Sequence, residues 1–69
     1  MRAMRWKLDE VTHARGRWRD AARVVAMRWD TFLASEAPLR TLAYASYLAA
    51  LDTEEAAAAE VARFTRHAE

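Results

Sequence analysis

Nine positions spaced alternately four and three residues apart run through the first half of the chain: Met4, Leu8, Val11, Arg15, Trp18, Ala22, Val25, Trp29 and Phe32. All but Arg15 are apolar. A heptad repeat sustained this long marks an α-helix with one seam packed against another helix. At 100° per residue, Trp18, Val25 and Trp29 fall within about 40° of one another. No period-two alternation competes with this pattern, so strands are not expected. The spacing predicts one helix over about 7–34.

Few residues interrupt helix formation. The chain has one glycine and one proline, and alanine, the strongest helix former, fills 17 of its 69 positions. Gly16 lies inside the first helix, nearly opposite the seam, where it costs up to about 1 kcal/mol against alanine. The one strong break is Ala-Ser-Glu-Ala-Pro-Leu-Arg at 34–40. The residue before Pro38 is pushed out of the helical region, and proline suits the first turn of a new helix. Ser35 is the better candidate N-cap, with Glu36 beside it. A turn at 35–38 is short, and short connections make neighbouring helices antiparallel.

The remainder reads as a second helix over about 39–66, with Tyr44, Tyr47, Leu48, Leu51, Ala58 and Ala62 on one face if it is continuous. Asp-Thr-Glu-Glu at 52–55 also reads as a capping box. A kink or break there would let Ala57, Val61 and Phe64 form a stripe of their own. The fold class is therefore all-α, an antiparallel helical hairpin whose second helix is continuous or broken near Asp52.

Size then constrains assembly. A chain this short buries only about 60% of its unfolded surface and is marginal alone. It has no cysteine, so neither a disulfide nor a thiolate metal site supplements it. A hairpin of two amphipathic helices also leaves one side of its seam open. Two hairpins closing into a dimeric four-helix bundle answer both problems. The interface and core seam expected here is Leu8, Val11, Trp18, Val25, Trp29, Phe32, Tyr44, Tyr47, Leu48 and Leu51, with Trp18 and Trp29 as interior anchors. Val24 and Met27, on the back of the first helix, form a candidate second interface. No apolar run is long enough to span a membrane, and no apolar stretch follows Arg2 and Arg5 as a secretory signal would require. A cytoplasmic location is expected.

The net charge is only +1, yet it is unevenly spread. Residues 1–28 hold eight Lys/Arg against three Asp/Glu, and residues 29–69 hold three against seven. In a hairpin this sets a basic rim beside an acidic one, which selects the pairing. Arg15, Arg19 and Arg23 form one flank of the first helix, Arg17 and Arg28 the other, and Asp52, Glu54, Glu55 and Glu60 lie on the second helix. Arg15, the one charge in the seam, either extends outward or meets Glu55. The alternative reading is a phosphate-gripping surface of Arg2, Arg5, Lys7, Arg15, Arg17, Arg19 and Arg23. The tryptophans would then act as stacking platforms. No zinc-finger, helix-turn-helix or RNA-binding signature accompanies those arginines. Trp6 falls off the main stripe and suits an exposed anchor for a partner. A basic helix with tryptophans also suits an anionic membrane surface, but the second helix offers the same face a home within the chain.

Catalytic patterns are lacking. His13 and His67 form neither a His-x-x-x-His pair nor the Glu-x-x-His order of bundle di-iron sites, so no metal is expected. Ser35 and Ser46 have no histidine at a spacing a helix would bring near, and Gly16 is alone, so no phosphate-cradling loop exists. The sequence points to a non-catalytic helical interaction module or small regulatory adaptor without cofactors. Its expected partners are itself and an unidentified protein. A nucleic-acid accessory role is the alternative.

Overall fold

The structure, a computed structural model, describes residues 2–68 and the side chains of residues 8–65. It contains two α-helices, α1 (Arg2–Ala34) and α2 (Leu39–Ala68), folded back on each other as a hairpin. The first helix begins about a turn and a half before Lys7, because residues 2–6 contain neither glycine nor proline to stop it. Met4, expected in the seam, and Arg2, Arg5, Trp6, Lys7 and His67 carry side chains outside the described set. No helix among the described residues is long and apolar enough to cross a membrane.

The turn closes through backbone groups. Ser35 N–H donates to the Phe32 carbonyl at 3.2 Å and Arg40 N–H to the Glu36 carbonyl at 3.1 Å. Ser35 does not cap α2 as expected. Its hydroxyl donates to the Thr31 carbonyl at 2.6 Å, finishing α1 instead. The hydroxyl reaches back over the turn it has just left, where the last carbonyls of a helix lack partners.

The second helix passes through Asp52 without a break. Thr53 donates to the Ala49 carbonyl of the preceding turn at 3.2 Å rather than capping a new helix. Backbone donors near residue 53 already have partners within α2, so the capping box has nothing to cap. Ala56–Ala59, with no glycine or proline near, propagate the helix.

A continuous α2 keeps both Val61 and Phe64 on its inward stripe. The inward column of α2 is Ala43, Tyr47, Ala50, Glu54, Ala57, Val61 and Phe64, every member buried or half-buried. Their spacing of four and three is itself an unbroken heptad pattern. Tyr44, Leu48 and Ala62, expected on that face, are exposed. In α1 the inward residues are Val11, Ala14, Ala21, Val25 and Phe32, with Trp18 at the edge. The Leu8, Arg15, Ala22, Trp29 column has rotated outward, and Ala14 and Ala21 take its place.

The reason is steric. Ala14 is 0% exposed, and Ala21 and Ala50 are each 8% exposed. Helix axes approach as closely as the side chains between them allow. Alanine on both sides permits a tighter seam than tryptophan or leucine would. The consequence is a thin molecule, 56 × 14 × 12 Å in extent by its Cα atoms. Its radius of gyration of 16.0 Å compares with about 11 Å for a compact domain of this length.

Two substitutions probe this packing. A Cβ added at Gly16 meets nothing within 4 Å, so Gly16→Ala should raise stability by up to about 1 kcal/mol, seen as a thermal midpoint several degrees higher. Ala21→Leu should do the reverse: overpacking the seam should cost about 1–3 kcal/mol in the same melting experiment.

Candidate interaction face

The rotation of α1 gives the hairpin two unlike flanks. On one, Val24 and Arg28 of α1 face Ser46, Ala49 and Thr53 of α2 across a shallow groove of about 250 Å³, floored by Ala21 and Ala50. Further along this flank the Arg17 guanidinium donates to both carboxylate oxygens of Glu60, through Nε at 3.4 Å and through a terminal nitrogen. Val24 rims the groove, and Met27, one turn on, points to the outer side of α1 and is exposed.

The opposite flank is apolar and open. By helical angle it carries Leu8, Trp18, Trp29 and Leu33 from α1 and Tyr44 and Leu48 from α2. All six are exposed in the hairpin. Towards the turn the rings interlock: Trp29 lies 5.0 Å from Tyr47 and 5.3 Å from Phe32 between centroids, and Phe32 lies 5.4 Å from Tyr44. Tilted pairs at such separations suit the quadrupoles of aromatic rings. Arg40 sits 4.8 Å above the Phe32 ring, a cation–π contact that covers the end of the cluster.

Trp18 and Trp29 are therefore not interior residues of the hairpin. They remain 41% and 40% exposed, because each stands at the edge of an alanine-lined seam too narrow to enclose an indole. Trp18 donates its Nε1–H to Glu54 at 3.3 Å. This contact gives the half-buried Glu54 a partner where the inward column of α2 would otherwise hold an unpaired carboxylate. Nothing in the expected pattern singled out Glu54 as the inward acid. Its heptad relation to Tyr47 and Val61 is the signal that finds it.

The expected link between the basic and acidic rims is made at one pair, and of the two alternatives for Arg15 the outward one holds. Arg15 and Glu55 are both exposed and do not meet inside the seam, since α1 has turned Arg15 onto the open flank. Arg23 pairs with Asp20 of its own helix. Among the described residues, Arg17 to Glu60 is the one ion pair joining the two helices. Arg17 and Arg23, two arginines of the candidate nucleic-acid surface, thus already face carboxylates, though like Arg15 and Arg19 they are exposed. No group of three or more His, Asp or Glu side chains among the described residues is placed to hold a metal ion. Compared with known protein families, curated proteins and solved structures, the chain matches none.

A half-covered ring has a measurable signature. Trp29→Ala should cost about 2 kcal/mol, below the roughly 3–5 kcal/mol of a fully enclosed aromatic. It should also diminish the near-ultraviolet circular dichroism of the ring cluster. Urea unfolding of the two proteins at one concentration checks both.

Proposed function

We propose that this chain is a non-catalytic helical interaction module, a small adaptor that acts as a homo-oligomer, with the apolar flank of the hairpin as its interface. The observation that carries this reading is the surface the hairpin leaves uncovered. Its accessible surface is 5868 Å², whereas a compact monomer of 7.9 kDa would expose about 4,400 Å². The excess, on the order of 1,500 Å², exceeds the ~800 Å² that each partner of a standard interface buries. Among the described residues, no large side chain is fully buried in the hairpin alone.

A partner that covers Leu8, Trp18, Trp29, Leu33, Tyr44 and Leu48 supplies the missing core. A second hairpin offers a matching surface of the same length, which makes a dimeric four-helix bundle the simplest closed arrangement. Contiguous exposed apolar surface of this kind marks an interaction site. The nucleic-acid alternative has less support, since two of its arginines are engaged by Glu60 and Asp20.

Light scattering after size exclusion, over a concentration series, is the direct test. The expected result is a mass of two chains that falls to one on dilution. A folded monomer at every concentration would overturn self-association. Binding to DNA or RNA that weakens steeply with salt would favour the alternative.

A further inference from the structure

The open flank is not uniformly apolar, and its charges specify how a second copy sits on it. Trp18 and Glu54, in contact with each other, lie at the midpoints of α1 (Arg2–Ala34) and α2 (Leu39–Ala68). Arg19 and Glu55, the next residue of each helix, therefore stand at the same height, at the middle of the rod. Both are exposed. By helical angle both lean towards the open flank, with Arg15 one turn from Arg19.

A second copy laid face to face on this flank can be related by a two-fold axis along the rod or by one across it. An axis across the rod stacks α1 on α1 and α2 on α2. It gathers Arg15 and Arg19 of both copies at mid-height and sets Glu55 against the partner's Glu55. Like charges so placed are destabilising. An axis along the rod stacks α1 on the partner's α2 at equal height. Arg19 then meets the partner's Glu55, and the partner's Arg19 meets Glu55, as the flanking charges of paired helices do. The same arrangement lays Trp29 and Leu33 over the partner's Tyr44 and Leu48, and Ala22, a small residue, opposite the partner's Leu51.

From this charge complementarity we infer that two copies of the chain pack about a two-fold axis parallel to their helices, with both Ala34–Leu39 turns at the same end of the bundle and Arg19 paired to the partner's Glu55. The inference rests on the dimeric reading above and goes beyond it by selecting one of two symmetric arrangements.

The chain has no cysteine, so Glu36→Cys in the exposed turn provides a single site for a nitroxide label. Electron–electron double resonance on the labelled dimer then measures the separation of the two turns. Turns at the same end lie within roughly 20–30 Å, since neighbouring helices in a bundle are about 8–10 Å apart. Turns at opposite ends are separated by nearly the 56 Å length of the rod. A short distance is expected. A long distance in a species confirmed as two chains by light scattering overturns the arrangement and leaves the dimer standing, whereas a monomer overturns both. Charge reversal gives an independent reading. Arg19→Glu should weaken the dimer roughly tenfold, through two symmetric repulsions, and adding Glu55→Arg should restore it. With the axis along the rod the neutral Arg19→Gln should also weaken the dimer, whereas with the axis across it the same change would tighten the dimer by relieving like-charge repulsion. Tightening would overturn the proposal.

Discussion

The architecture depends on how closely two helices approach along an alanine-lined seam, where Ala21 lies beside Ala50 and Ala14 is fully buried further from the turn. Alanine keeps its Cβ and little else between the backbones, so the helices settle near each other over that stretch. Larger residues cannot enter so narrow a gap. Trp18, Trp29 and Leu8 are displaced to the edge of the contact, and the hairpin acquires an apolar flank rather than an apolar interior. The thin rod, its large surface and its open face all follow from this one contact.

The two ends of the rod are held differently. Near the turn, the rings of Trp29, Phe32, Tyr44 and Tyr47 brace the helices, with Arg40 laid over Phe32. Further from the turn the seam is made of alanines with Val11, Val61 and Phe64, and polar ties appear: Trp18 to Glu54, then Arg17 to Glu60. Exposed pairs of the latter kind contribute about 0–1 kcal/mol each, so they align the helices more than they stabilise them. Among the described residues, ten large apolar side chains stay substantially exposed in the single hairpin, so much potential hydrophobic stabilisation is left unused. Covering that surface is what joins the fold to the proposed function.

Much of this was legible in the sequence. Heptad spacing and the scarcity of helix breakers predict two helices, and Pro38 places the turn between them. Charge asymmetry between the halves anticipates a link between a basic and an acidic helix, realised at Arg17 and Glu60. The break suggested at Asp52 did not occur. A capping sequence matters only where backbone donors lack partners, and within a continuous helix there are none to satisfy.

What the sequence by itself determined is the period: two helical segments, each with a four-and-three repeat and one turn between them. What only the tertiary structure decided is the phase, meaning which of two adjacent heptad columns faces the neighbouring helix. Both Ala14 with Ala21 and Arg15 with Ala22 and Trp29 complete a repeat with Val11, Trp18, Val25 and Phe32, and they differ by one residue, about 100° of rotation. Hydropathy favours the column with Trp29. Shape favours the column with the alanines, because a close approach requires small side chains on both helices at once, and Ala50 meets that condition only after α2 has folded back beside α1.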